Sequence, residues 1–384
     1  MTQRFLIGLA LLLAPGPVHA EVDAYPLDDT LRLNHVQAIG THNSYHLRST
    51  LYPHPPPIFD YAHAPLDVQL EEQGVRKVEL DVYWDLDLEI FRVHHENYFD
   101  KETTCETLRL CLETLRDWSL AHPGHHPIMI MIEPKGIHDE FTLSDSPICD
   151  PPEFEVCHYA ELDAEIRAVL TPDIGPNLLI TPDEVRGSHA SLREAILTDG
   201  WPTLRQTRGR FLGAMLGGLD FAGYTEGLSS LQGRALFIAS SPGRDDAAIL
   251  FRDDAADDEA EIAGLSALGY VLRTRADSLD DARVNDTTAR DAAFASGAHY
   301  ISTDFPVPEY LDNGYFVQIP DGTPSRCNPI STMGLECTSL DIENPDALLA
   351  PEPASSLLGA VAGLTLGGVG VRMRRKPRSR RARA

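Results

Sequence analysis

Four short stretches of this 384-residue chain carry side chains that could do chemistry. Thr41-His42-Asn43-Ser44-Tyr45 sets an imidazole beside an amide, and Glu79-Leu80-Asp81 spaces two carboxylates two residues apart. His94-His95 is a histidine pair, and Glu133-Pro134-Lys135 places a carboxylate two residues from an ammonium. Asn43, Glu79, Asp81 and Glu133 form a donor set of oxygens alone, which suits a hard cation, calcium ahead of magnesium. Imidazoles beside such a set suit proton transfer on a phosphate ester, with the metal polarising a phosphoryl oxygen. Each stretch alone has a plainer reading. A histidine after a strand is commonly a hydrogen-bonded loop residue, Glu79 and Asp81 could pair with Arg76 or Lys77, and Glu133 could cap a helix.

The elements that position these groups follow from the flanking patterns. Nine apolar, β-branched runs read as strands: His35 to Gly40, Lys77 to Tyr83, Ile90 to His94, Ile128 to Glu133, Leu178 to Thr181, Arg210 to Leu216, Ala235 to Ser240, Tyr270 to Thr274 and Tyr300 to Thr303. Helical stretches such as Cys105 to Ala121, Tyr159 to Leu170 and Asp286 to Ser296 lie between them. That alternation predicts an α/β fold, a TIM-like (β/α)8 barrel of regular or distorted form in a single catalytic domain. Nine runs exceed eight, so one is spurious or an added hairpin. Catalytic groups of such barrels follow the C-terminal ends of strands, where all four stretches fall. Alternation along a strand puts Glu79 and Asp81 on one face and sends His94 and His95 to opposite faces. Only one of the two histidines can therefore serve, and His94 is chosen. The acidic segment Asp245 to Glu261 reads as a solvated loop or helix surface, and the proline-rich Tyr52 to Pro57 as a loop over the barrel mouth.

The two ends read as sorting elements. Residues 1–20 have Arg4, the apolar run Phe5 to Ala14, and Val18-His19-Ala20 as a small-residue cleavage site, the pattern of a secretory signal. Residues 346–384 read as a linker, Pro351-Glu352-Pro353, an apolar membrane segment over 357–371, and a cluster of eight basic residues. Excluding Arg4, those eight and Glu352 moves the formal charge from −26 to −34. Such a surface disfavours nucleic acid and anionic membranes and suits a holder of divalent cations. Six cysteines in an exported chain point to disulfides. Nearest-neighbour pairing is the simplest of the 15 possible connectivities, and the absence of a CxxC pair disfavours a zinc site.

The C-terminal segment resembles the PEP-CTERM sorting signal of Gram-negative bacteria. The resemblance implies export by the Sec machinery, exosortase processing near Pro351, and a cell-envelope address, membrane-anchored until processed. The domain itself resembles the calcium-dependent phosphoinositide-specific phospholipase C family of bacteria. Thr41 to Tyr45, Val78 to Tyr83, the His94 segment with Thr103-Thr104-Cys105, and Pro127 to Glu133 carry that resemblance. Ile180 to Glu184, Gly200 to Leu204, Arg273 to Asp277 and Ile301 to Pro306 extend it, so that it covers about 33 to 310. It implies calcium on Asn43, Glu79, Asp81 and Glu133, and His42 stabilising charge on the phosphoryl oxygens. It further implies His94 protonating a leaving diacylglycerol oxygen, and Glu79 or Glu133 taking the proton of an attacking inositol 2-hydroxyl. Lys135, Arg273 and Arg275 become expected phosphate or inositol contacts. The substrate is then a phosphodiester lipid or its headgroup, and a monomer is expected. Two rival readings stay open: a glycerophosphodiester phosphodiesterase, against which His42-Asn43 stands where that family shows His-Arg, and a non-catalytic calcium-binding envelope protein.

Overall fold

A computed structural model describes residues 23–50, 59–138, 148–149, 157–216 and 222–349, all within one compact unit. The signal-like residues 1–20, the proline-rich 52–57 and the sorting segment from 350 onward lie outside the described residues.

Eleven strands form one curled sheet: β1 (Val36–Thr41), β2 (Lys77–Asp85), β3 (Ile90–Val93), β4 (Ile128–Ile137), β5 (Leu179–Ile180), β6 (Phe211–Met215), β7 (Phe237–Ser240), β8 (Ile249–Asp254), β9 (Val271–Arg275), β10 (Tyr300–Thr303) and β11 (Arg326–Cys327). Eight of them, β1, β2, β4, β6, β7, β8, β9 and β10, are parallel neighbours in chain order, the topology of a TIM-like barrel. β1 and β2 are buried along their whole length, as expected of barrel staves covered on both faces. The ring closes between β1 and β2 without a ladder. Two backbone bonds make that seam, Arg76 N–H to Ile39 O at 2.9 Å and Ser44 N–H to Glu79 O at 3.0 Å. Gly40 permits the approach, since a Cβ there would stand 2.4 Å from Lys77 Cδ.

Two of the nine expected runs are not staves. β3 is an antiparallel hairpin partner of β2, and β5 is a two-residue strand beside β6. The missing stave is β8, inside the segment read as a solvated loop or helix surface. Its inner residues Ile249 and Leu250 are fully buried, while Asp253 and Asp254 leave the sheet at the rim and Asp254 caps the helix Ala255–Ala267. The run of acids outweighed a short apolar core in the sequence pattern.

Helices cover the outside by presenting one apolar stripe each. In Leu108–Ala121, Thr107 caps the first turn, and Leu108, Cys111, Leu112, Leu115 and Trp118 recur at three- and four-residue spacing and are buried. Truncating Leu115 to Ala would cost about 2–5 kcal/mol. At the other end of the staves the floor is a paired ionic layer. Arg76 forks onto Glu343 and donates to the carbonyls of Leu70 and Val75, Arg208 forks onto Asp28, and His126 meets Ser325 Oγ at 2.6 Å. Disulfides join Cys105 to Cys111, Cys149 to Cys157 and Cys327 to Cys337, the nearest-neighbour pattern. No described helix is long and apolar enough to cross a membrane.

Candidate active site

The turn after β1 shows how a short motif can be rigid and still present two side chains. Ser44 Oγ accepts the Glu79 N–H at 2.8 Å, and Thr41 Oγ1 donates to Gln69 Oε1 at 2.6 Å. These bonds bolt the turn to β2 and to the helix Leu66–Glu72, and they hold Asn43 at φ 44°, a left-handed conformation that Asn tolerates better than most residues. His42 and Asn43 are thereby displayed at the rim.

Next to them, β2 and β4 run parallel with Asp81 paired to Glu133. The carboxylates of Glu79, Asp81 and Glu133 come within 4.8 Å of one another. Asn43 donates through Nδ2 to Tyr61 Oη at 3.0 Å, which leaves its Oδ1 buried without a hydrogen-bond partner; both oxygens of Asp81 are in the same condition. Buried oxygens left unsatisfied and gathered beside two further carboxylates fit a hard cation. Electrostatics agree. Burial and then the Glu133 carboxylate push the Asp81 carboxyl well above its usual range, the response of crowded acids without a cation. Burial also opposes ionisation of Glu79, but Lys77, His42 and Arg273 bring it down to about 2.

Lys77 was weighed in the sequence as a possible partner of Glu79 or Asp81, and it pairs with Glu79. It is fully buried beneath Glu79, donating to Glu79 Oε2 at 2.5 Å, Ser302 Oγ at 2.9 Å and Thr41 O at 3.0 Å. Lys135 lies 3.4 Å from Glu133 and 3.8 Å from Asp81. Arg273 is also behind the carboxylates, 3.5 Å from Glu79, bonded to Ser302 and paired with Asp253.

His42 has a partner that sequence reasoning missed. Its Nδ1 is 3.0 Å from Asp304 Oδ1, while its Nε2 lies 3.8 Å from Glu79 Oε1. Burial lowers the His42 pKa, against the pull of Asp304. Asp304, although burial opposes its charge, is held well below the carboxylate range by His42, His63 and Arg275. Asp304 closes the β10 run as a polar residue, the same signal that singled out the first four strand ends. A cavity of about 580 Å³ opens over this dyad, lined among others by His42, Tyr61, His95, Arg275, Asp277 and Asp304. Asp277 is pushed up to about 7 by burial and by Asp304.

The histidine pair divides as alternation requires. Val82 pairs with Val93, so His94 leaves β3 toward the Asp81 end of β2. It is buried, stacked on Tyr83 at 4.2 Å, with Nε2 2.9 Å from His138 Nδ1 and its own Nδ1 without a partner. Burial, then His138, lowers its pKa to about 3. His95 points the other way, to Asp100 and the cavity wall. The structure thus gathers Glu79, Asp81, Glu133, His42 and Lys135, sets Arg275 at the cavity, and keeps Arg273 behind Glu79.

Phosphodiester cleavage asks for a cation to hold an oxyanion and a shielded imidazole to move a proton. This rim offers both, and the class is a metal-assisted phosphodiesterase on a parallel barrel. The sequence model of the family "Phosphoinositide phospholipase C, Ca2+-dependent" matches residues 31–91 and 85–329. The chain belongs to that family, and its cation is calcium. Among solved structures, the calcium-dependent phosphoinositol-specific phospholipase C of a Gram-negative Pseudomonas is similar at 17% identity and TM-score 0.51, covering 80% of this chain and 100% of that one. A calcium-dependent phosphatidylinositol-specific phospholipase C from Streptomyces antibioticus is similar at 21% identity and TM-score 0.51, covering 72% and 96%. Both carry the same barrel. No curated protein matches the chain in sequence.

Proposed function

We propose that this phospholipase C-like enzyme is exported and cleaves phosphatidylinositol-type substrates at the bond between phosphorus and the diacylglycerol oxygen. The convergence of the unsatisfied oxygens of Asn43 and Asp81 with Glu79 and Glu133, beside the His42–Asp304 dyad, is the observation that carries this reading. Those four residues are the proposed calcium ligands. Bound calcium would supply Lewis-acid stabilisation of a phosphoryl oxygen.

The chain's own groups do the rest. Arg275, in the cavity wall 3.8 Å from Asp304, orients the headgroup, and Lys135 adds positive charge beside the phosphate. The inositol 2-hydroxyl attacks phosphorus in line. Its proton passes to the group formed by His42 Nε2 and Glu79 Oε1, 3.8 Å apart. Within that pair the imidazole is the better base, because Lys77 keeps Glu79 strongly acidic; Glu133 is the second carboxylate placed beside the cation. His94 Nδ1 gives the leaving oxygen its proton, and the incoming phosphate anion raises the basicity that burial removed. The product is an inositol cyclic phosphate.

Three disulfides support an oxidising destination. The proposed order is a signal peptide over 1–20, the barrel over 21–345, and an exosortase-recognised tail over 346–384 with its membrane segment at 357–371, the enzyme acting as a monomer in the envelope. Release of inositol phosphate from phosphatidylinositol micelles, with and without chelator, tests the chemistry. Full calcium-dependent turnover in both His42→Ala and His94→Ala would remove the mechanism, and turnover indifferent to chelator would remove the calcium role.

A further inference from the structure

A second cluster of donor atoms lies a few residues beyond the calcium set and takes no part in the mechanism above. His46 Nε2 and His95 Nδ1 each approach the same oxygen of Asp100, Oδ2, at 2.8 Å. One ligand atom from each of the three residues lies within 4.8 Å of the others. His46 and Asp100 are fully buried, and His95 keeps 16% of its side chain exposed at the cavity wall.

Proton bookkeeping makes this cluster unusual. The Nδ1 of His46 is 3.1 Å from the carbonyl oxygen of Tyr61, and a carbonyl can only accept, so Nδ1 carries the hydrogen. In a neutral ring Nε2 is then a bare lone pair, yet it faces a carboxylate oxygen that can also only accept. The remaining oxygen of Asp100 is buried with no partner at all. A second ring proton would make this contact an imidazolium–carboxylate pair, and a metal cation resolves it without that proton, taking the Nε2 lone pair and the carboxylate together. The outward bond from His46 Nδ1–H to a backbone carbonyl is the arrangement that fixes the tautomer of a metal-bound histidine.

We propose that His46, Asp100 and His95 form a second metal site, distinct from the calcium set, for a borderline divalent cation of the zinc class. Two imidazole nitrogens and one carboxylate select that class over calcium or magnesium, which prefer oxygen ligands throughout. Three protein ligands leave a coordination position for water or an anionic oxygen.

The site ties together the two loops that build one wall of the mouth. His46 follows β1 and bridges to Thr103, while His95 and Asp100 follow β3, closed by mutual bonds between Glu96 and Asp100. Tyr61 links this site to the calcium set, since its ring stacks on His46 at 4.2 Å and its hydroxyl accepts from Asn43. Occupancy therefore fixes the tyrosine that orients a calcium ligand.

Cobalt(II) titrated into the metal-stripped, calcium-reloaded full chain should bind one equivalent and develop the visible absorption of a nitrogen–oxygen site, and zinc should abolish it. Asp100→Asn and His95→Gln should each weaken cobalt binding by more than about 10-fold, the loss already typical of disturbing a metal ligand's outer partners. Glu79→Gln, in the calcium set, should leave the cobalt spectrum unchanged while it weakens calcium binding. His95, at the cavity edge, keeps the test decisive if Asp100→Asn does not fold. No stoichiometric cobalt binding, a spectrum that survives His95→Gln, or one that disappears with Glu79→Gln would overturn the assignment.

Discussion

The two ends of the barrel both bury charge, and they bury it differently. At the floor, Arg76 meets Glu343, Arg208 meets Asp28, and His126 meets Ser325, and both guanidiniums also donate to backbone carbonyls. At the mouth, both oxygens of Asp81 and one of Asn43 have no hydrogen-bond partner, and three carboxylates crowd one another. Removing groups from water without compensation costs free energy, so a complete network serves the fold and an incomplete one awaits a ligand. The difference separates structure from function within a single layer of staves.

Experiments can break that contrast. Asp81→Asn or Glu133→Gln should weaken calcium binding by about 100-fold or more by calorimetry, beyond the loss from disturbing outer partners alone, with little change in the metal-free melting temperature. Unaltered calcium affinity in Asp81→Asn would place the cation elsewhere. His42→Ala should lower kcat by roughly 100-fold to 10,000-fold, and Asp304→Asn should follow it in part, with calcium affinity kept by both. Equal kcat in Asp304→Asn and the parent would show the dyad to be structural only.

The floor predicts the opposite pattern. Glu343→Gln leaves Arg76 buried without its counter-charge and should cost about 3–5 kcal/mol of stability in denaturant unfolding. Calcium affinity of the folded fraction should hold; if it falls with stability, the two ends are not separable. Acid sensitivity tests the floor independently of substitution. His125 and His299 are fully buried, and burial lowers each to about 3 from an ordinary value near 6.5. The unfolded chain thus binds more protons between those values. Their contribution is complete above about pH 6.5 and declines as the pH falls toward about 3. A denaturation midpoint that stays flat from about pH 7 to about pH 4 would contradict that reading.

Much of the site was legible because barrel chemistry follows strand ends, and a polar residue closing an apolar run is visible in one dimension. Glu79 and Asp81 share a face through strand alternation alone, and the same rule separates His94 from His95. Asp304 obeys the identical rule at the end of β10, but its service to His42 depends on β1 and β10 being neighbours, which their 262-residue separation hides. β8 escaped notice because two buried residues, Ile249 and Leu250, are too few to stand out before a run of acids. Lys77 was visible as a possible partner of Glu79, but its further bonds to Thr41 O and Ser302 Oγ depend on β1 and β10 lying beside β2.

By itself the sequence determined the alternation of staves and helices and the donor atoms at each strand end, since these follow from local spacing; which of the 15 possible disulfide patterns forms, it left open. Tertiary structure alone decided which donors were left without partners, which cations were spent in pairing, and which carboxylate stands behind His42. Those outcomes depend on which strand ends become neighbours and how far water is excluded between them, and no local pattern encodes either.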